Sequence, residues 1–507
     1  MRRERFLSAG LIAMVIMIMV TAQVFGAGGQ AAPAQTGGVK EISWLTQAWS
    51  GYMADLDNPV LKAIEAATNV RVNVTETAVG DYTAKLNTLI ASRQLPDLFT
   101  TGGATAMEFI EAGMLYQIEN LLQSHGPNIR REMGDEIRRS PINNIDRHTY
   151  MITGYGDAYR QNLFVRLDWL RNVNLPMPTD LDSLYKVLYA FTFNDPDRNG
   201  RDDTIGFSAN LAQTNHWTPI FGAFGIAYPL NALLSDGTVT TYMKHPNYLE
   251  AIRYIRRLYQ DGILDPEFAT MPAMTTHEKF WSGQVGVYGF QSPGPTNNWY
   301  PGRYTFPVPE NPADLFGFTD IKGPYGDHGV PQIYKGITSG FVVSATTRNP
   351  DAVIQFLDFM CTEKGDELVY LGVEGLMYEW TDKANGKYRR LGEFANDAVH
   401  RANGGWLYWR AMIENNTELR TMNKATQDAQ EFARNNVIEW PYLYTPLQAD
   451  IDYGAILPGI TVEAFARLIV TTGNLEAEYR DFVRRWENEG GLEWEREATR
   501  IYRSQQN

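Results

Sequence analysis

Cysteine is all but missing from this chain. Cys361 is the single thiol in 507 residues, so no internal disulfide can form and no thiolate cage can hold a metal. No cysteine follows the apolar N-terminal run, so the attachment point of a lipid anchor is absent and a freely diffusing protein is expected. Histidine is scarce as well: seven residues are scattered from His125 to His400, with no HExxH or similar metal spacing. Lys and Arg never gather into a basic cluster, and the net charge is -14, which excludes nucleic acid or an anionic membrane as the main partner. Long apolar runs are also lacking. The longest, Leu11 to Val20, falls short of the roughly 20 residues that span a bilayer.

What is present begins with that run. Arg2, Arg3 and Arg5 precede it and the small residues Gly26 and Ala27 follow, the pattern of a secretory signal peptide over 1–26. A Gly, Ala, Gln and Pro tract over 27–39 reads as a flexible lead-in. The mature protein is expected to cross the inner membrane and remain soluble in the periplasm. Its length exceeds the roughly 250 to 300 residues that one core holds, so two lobes are expected.

The first part of the mature chain alternates strands with helices. Ile42 to Thr46 alternates as a strand, and Asn58 and Pro59 open a helix with Val60, Ile64 and Ala67 on one face. Val70, Val72 and Val74 form a second strand, Asp81 opens a second helix, and LPDLFTT supplies a third strand. This order predicts an α/β fold with a parallel sheet, whose ligands bind beyond the carboxyl ends of the strands. Gln47, Trp49, Asp97 and Thr100 are therefore candidate cleft residues.

FNDPDRNGRDDTIG, residues 193–206, carries the sharpest chemical spacing. Asp195, Asp197, Asn199, the Arg201 carbonyl and Asp203 occupy the first, third, fifth, seventh and ninth positions of a calcium loop, with Gly200 sixth. The twelfth position is Gly206, where an EF-hand needs a bidentate Glu, and Thr204 follows the ninth; a structural calcium loop of another kind is expected, with a plain Asx-rich turn as the alternative. Aromatic side chains suited to stacking on sugar rings are abundant, with 12 Trp and 27 Tyr. Trp217, Trp281, Trp299, Trp380 and Trp406 are the candidates.

From Lys335 to Trp380 the chain reads as a short strand, Phe341 to Ser344, then an NPDA-initiated helix in which Asn349 can act as the cap, a second helix, and a Gly372 to Gly375 exit. This order, together with FVRLDWLRNVNLPMPTDLDSLYKVL from Phe164, resembles family 1 extracellular solute-binding proteins of ABC importers, in their lipoprotein-type and alginate-binding branch. Arg166, Asp168 and Trp169 match that pattern; Arg166 either presents donors to a ligand or pairs with Asp168. FWSGQVGVYGF, from Phe280, is similar to the motif that brings a glycine-rich strand near the ligand.

The resemblance implies a periplasmic binding protein type II fold, two α/β lobes joined by a hinge. The N-terminal lobe would span 40–158 and 337–378, and the C-terminal lobe 159–336 and 379–507. It further implies a monomer that captures an oligosaccharide or related solute by hinge closure, performs no covalent chemistry, and delivers to membrane permease subunits. Two alternatives stand beside it: a secreted glycosidase using Glu374 and Glu379, and a ligand-loaded partner of a membrane sensor.

Overall fold

The structure, a computed structural model, describes residues 38–506 except 49–53, 145–147, 154–160, 292–293, 298–303, 320, 326–338, 408–415, 437, 439 and 444–446. The signal peptide, Trp49, Trp299, residues 154–160 around the expected lobe boundary at 158 and the start of the return stretch lie outside the described residues.

The predicted strands and helices form in the unit Val39–Asn507. Strand β1 (Lys40–Ala48) pairs in parallel with β2 (Val70–Ala78) and β3 (Leu98–Gly102). The helix Pro59–Thr68 connects β1 to β2; Asn58 caps it by accepting from Leu61 N at 2.9 Å, and Pro59 takes its first turn. Val60 and Ile64 are buried, while Ala67 lies on the exposed side. After β4 (Met151–Thr153) the chain leaves this sheet and begins a second one with β5 (Gln161–Arg166) and β6 (Ile205–Phe207). A short hairpin, β7 (Ala232–Leu233) with β8 (Val239–Thr240), precedes β9 (Val285–Gln291) and β10 (Phe316–Thr319). The second sheet has the order β10-β5-β9-β6.

The return stretch then re-enters the first sheet. Strand β11 (Ser339–Val343) lies antiparallel between β3 and β4, giving the order β2-β1-β3-β11-β4. The helix Pro350–Met360 that follows is fastened to much earlier chain. Asp358 accepts from Asn128 N at 2.7 Å and Ile129 N at 2.9 Å, satisfying donors at the start of the helix Pro127–Arg139. Asn349 does not cap its own helix as its position predicts; its Nδ2 donates to Glu41 O at 2.9 Å in β1. Asp351 pairs with Lys40 across the same seam.

Residues 379–407, expected in the second lobe, pack instead beside the first sheet. The hairpin of β12 (Tyr378–Asp382) and β13 (Lys387–Arg390) leads to Ala402, whose carbonyl accepts from Asp55 N at 2.8 Å, and to Trp406, stacked on Tyr370 at 6.0 Å and 8°. The helix Asn416–Thr421 still belongs here, its Thr417 N and Oγ1 donating to Asp366 of the helix Glu363–Leu371, and only after Thr421 does the chain rejoin the second sheet. There the helix Lys424–Asn435 lies on β5 and β10, with Phe432 5.9 Å from Phe318.

A separate core gathers Trp169, Phe191, Phe207, Trp217, Phe221 and Phe465, the last from the helix Leu457–Val470. Two glycines of the FWSGQVGVYGF motif make its packing against β9 possible. A Cβ on Gly286 would stand 2.3 Å from Phe191 Cδ2 and 2.7 Å from the Trp169 ring; one on Gly289 would stand 2.4 Å from His216 O. The glycines admit the core to the strand, which is a packing role.

Candidate functional site

Strand directions locate the space between the sheets. Ser339 of β11 pairs with Gly102 at the carboxyl end of β3, and Gly340 pairs with Thr153, from which the chain departs. It arrives at Gln161, whose partner Gln291 is the last residue of β9, a strand parallel to β6. The carboxyl ends of β1 and β3 and those of β6 and β9 thus border the passage, the position expected for a ligand in α/β sheets.

Gln47 and its partner Thr77 lie at this border, both half-buried. Thr100 lies within β3, but its N and Oγ1 each donate to the Tyr82 hydroxyl at 2.9 Å, so it is occupied by packing. Asp97 lies at the opposite end from the one expected. It precedes β3 at the amino ends of the parallel strands, where its carboxylate accepts from Ser43 N and Oγ at 2.7 Å and ties β3 to β1.

Arg166 ends β5 on the side away from the passage. It makes a two-point bond to Asp168, at 2.8 and 2.6 Å, and its guanidinium stands 4.9 Å over Trp169 and 4.7 Å over Phe306. Of the two roles open to it, the structural pairing is the one formed. Trp217 is fully buried, edge-on to Phe465 at 5.0 Å, with its indole N–H donating to Asn210 O at 2.7 Å. It is a core side chain because the final helices close over it.

Trp281 is buried and stacks on His277 at 5.6 Å and 22°. Trp380 is half-buried between Lys383 at 5.7 Å and the Arg420 guanidinium at 4.9 Å. Trp406, besides its stack on Tyr370, carries Arg401 at 3.7 Å on its ring. Both brace the connecting segment, Trp380 beside Lys383 and Arg420 and Trp406 beside Tyr370 and Arg401. Glu379, from the glycosidase alternative, is held by Arg389 at 2.5 Å on the exposed hairpin β12–β13.

Residues not singled out from sequence occupy the border of the second sheet. His216 faces Gly289 O through Nδ1 at 2.6 Å, and His277 faces Gln213 Oε1 through Nε2 at 2.9 Å and the Tyr288 hydroxyl through Nδ1. Burial pushes His216 down to about 4 and His277 down to about 3, so both imidazoles are neutral at physiological pH. Gln161, Asn162 and Gln430 complete the group, all buried. These residues are far apart in sequence and no local pattern joins them.

In the loop 195–203, backbone and side chains already turn inward. Asp195 accepts from Asn199 N at 3.0 Å and Gly200 N at 3.1 Å, and Gly200 has φ 74°. Asn199 Nδ2 bridges Asp197 at 2.8 Å and Asp203 at 3.0 Å, the place of a positive charge among three carboxylates. Burial first, then the charges of Asp203 and Asp195, raise the Asp197 carboxyl above its ordinary value. Among the described residues no three His, Cys, Asp or Glu groups stand in ready metal geometry. The donor set nevertheless fits a hard cation that would replace the Asn199 amide N–H groups.

Two sheets with separate covering helices, a chain that returns from the second to the first, and strand ends bordering one passage define a two-lobed binding protein. The bacterial extracellular solute-binding protein family model matches residues 49–367, and the chain belongs to that family. It is 25% identical over 464 residues to lipoprotein LipO of Bacillus subtilis (strain 168), covering 88% of this chain and 89% of that one. It is also 25% identical over 467 residues to the polygalacturonan/rhamnogalacturonan-binding protein YtcQ of the same organism, covering 89% of each. Among solved structures, an EF-hand mutant of the S. pneumoniae ABC-transporter substrate-binding protein FusA with fructo-nystose superposes with TM-score 0.66 at 21% identity, covering 92% of this chain and 99% of that one.

Proposed function

We propose that this protein captures an oligosaccharide between its two lobes outside the cytoplasmic membrane and delivers it to the permease subunits of an ABC importer. The observation that carries this reading is β11, which brings the chain back between β3 and β4 and so makes the two sheets halves of one enclosure. Lobe one comprises 40–158 and 337–421, the helix Asn416–Thr421 being fastened to the helix Glu363–Leu371 through Thr417 and Asp366, and lobe two the remainder of the mature chain. A ligand that touches both lobes only when they are closed shifts the open and closed populations, and no bond need be made or broken. The sugar-binding descriptions of the relatives YtcQ and FusA support this class of ligand.

The protein works as a monomer in the periplasm, without nucleic acid. Its one thiol, Cys361, is buried at the end of the helix Pro350–Met360, and the Bacillus relative is named a lipoprotein, which overturns the expectation that the chain diffuses without a lipid anchor. Isothermal titration against oligosaccharides, peptides and polyamines, with X-ray scattering, tests capture. The expected result is saccharide binding with a smaller radius of gyration. Binding of none, with an unchanged radius, overturns the reading.

Calcium is the proposed structural ion of the loop 195–203, held by Asp195, Asp197, Asn199, the Arg201 carbonyl and Asp203. When bound it supplies positive charge that the loop's carboxylates otherwise lack. Calcium added to chelated protein is expected to raise the melting temperature, and Asp197→Asn to weaken this response about tenfold in calcium concentration. A melting temperature indifferent to calcium removes the assignment.

A further inference from the structure

Asparagine followed by glycine occurs three times in the chain, at Asn199-Gly200, Asn385-Gly386 and Asn403-Gly404. In this dipeptide the backbone nitrogen of the second residue attacks the side-chain amide of the first with least hindrance, because glycine carries no Cβ to crowd the ring that forms. By sequence the three are alike. The structure sets them apart.

Gly386 and Gly404 are buried and leave the backbone no room to turn. A Cβ on Gly386 would stand 1.9 Å from Arg420 O, and one on Gly404 would stand 2.4 Å from Asn58 Oδ1 and 2.7 Å from Val60 Cβ. Their backbone nitrogens donate to carbonyls, Gly386 N to Lys383 O at 3.2 Å and Gly404 N to Arg401 O at 3.1 Å, which cannot take up a proton.

Asn199 and Gly200 are exposed, and a Cβ on Gly200 would meet nothing within 4 Å. Each atom that would react also has a partner suited to its part. Gly200 N, the nucleophile, donates to Asp195 Oδ2 at 3.1 Å, a carboxylate in reach of the proton it must lose. Asn199 Oδ1, where negative charge would develop, accepts from Arg201 N at 2.8 Å. Asn199 Nδ2, the leaving nitrogen, donates to Asp197 at 2.8 Å and Asp203 at 3.0 Å.

We propose that Asn199 is a site of spontaneous deamidation, selected among the three by these surroundings. Gly200 N bonds to Asn199 Cγ and yields its proton to Asp195. The bond from Cγ to Nδ2 breaks, and the nitrogen takes up a proton and departs as ammonia, leaving a five-membered succinimide. Water then opens the ring at either carbonyl, giving aspartate or isoaspartate at 199. The product places a fourth carboxylate among Asp195, Asp197 and Asp203, in place of the amide that bridged two of them. A loop closed by its own hydrogen bonds becomes one of mutually repelling charges.

Peptide mapping by mass spectrometry tests the proposal on the mature protein held in chelator at neutral pH, beside the same protein unfolded in guanidinium, where sequence alone sets the three rates. In the folded protein Asn199 is expected to keep the rate of the unfolded chain, while Asn385 and Asn403 slow by about 100-fold, as misplaced reacting atoms do. Asp195→Asn should slow conversion at 199 about tenfold or more, with undiminished protection of Asn385 and Asn403 as the check that the variant folds. Asn199→Asp, which installs one product, should melt below the parent protein in chelator. Slowing of Asn199 together with the other two on folding overturns the proposal. So does conversion of the other two as fast as Asn199, or a rate at 199 indifferent to Asp195→Asn.

Discussion

Gly286→Ala is expected to cost about 3 kcal/mol of stability, the upper end of what overpacking a filled core usually imposes. The added Cβ would meet Phe191 Cδ2 at 2.3 Å and Trp169 atoms at 2.7 and 2.8 Å. Both rings are fully buried and stand edge-to-face at 5.3 Å, so neither can yield without displacing the other. The strand cannot yield either, because β9 is held on both sides, by β5 and β6. Gly459→Ala is the contrast: its Cβ would meet nothing within 4 Å, and it lies in the helix Leu457–Val470, where Ala is favoured by about 1 kcal/mol. Urea unfolding of the two variants should move in opposite directions. Equal stability of Gly286→Ala and the parent protein would mean that β9 does not pack as described.

The second large effect is a dependence on pH at Asp366. This carboxylate is buried in the helix Glu363–Leu371 and accepts from Thr417 N at 2.8 Å and Thr417 Oγ1 at 2.6 Å, while its Oδ1 has no partner. Burial pushes it up to about 6; the Thr417 bonds and Arg420 oppose the shift without cancelling it. A carboxyl whose folded value lies above its unfolded one holds a proton in the native state that the unfolded state has released. Its penalty is absent below about pH 4, grows as pH rises toward 6, and is complete above that, at about 3 kcal/mol. Asp366→Asn keeps an acceptor for Thr417 and removes the charge. The variant should be the more stable by about 2 to 3 kcal/mol at pH 7.5, and the gap should close near pH 4. A gap that is constant with pH would place the effect in packing instead.

Other carboxylates titrate in the opposite sense. Glu367, beside Asp366, is lowered by Lys383 and Arg420 against the opposing effect of burial, so it favours the folded state at neutral pH and loses that contribution on acidification. The difference between variant and parent isolates Asp366 from this background.

Much of the architecture was legible because it follows from local rules. Asn58 and Pro59 announce a helix through capping and fixed φ, and Val70, Val72 and Val74 announce a strand through alternation. The spacing from Asp195 to Asp203 encodes an inward-turned acidic loop, which the structure forms. The return stretch carries its own strand and helix signals, and its resemblance to solute-binding proteins located β11. Even there, Asn349 has the position of a cap but donates to Glu41 O, a partner more than 300 residues away that no local pattern reveals.

The site was less legible. Asp97 follows the loop-to-strand pattern of a cleft residue, yet the direction of β3 puts it at the far end, bound to Ser43. Trp217 has the chemistry of a sugar platform, but helices more than 200 residues later bury it. Gly286 and Gly289 look like room for a ligand and are room for Trp169, Phe191 and His216.

The sequence by itself determined the element types, the acidic loop, the single inert thiol and the double visit of the chain to its first sheet, because each is set by residues within a few positions of one another. Only the tertiary structure decided which polar groups border the passage, since strand register and helix docking bring together residues as distant in sequence as Asn162 and Ala429, or His216 and Gly289. Burial is a property of what the rest of the chain leaves uncovered, and it turned Trp217 and Trp281 from candidate sugar platforms into packing.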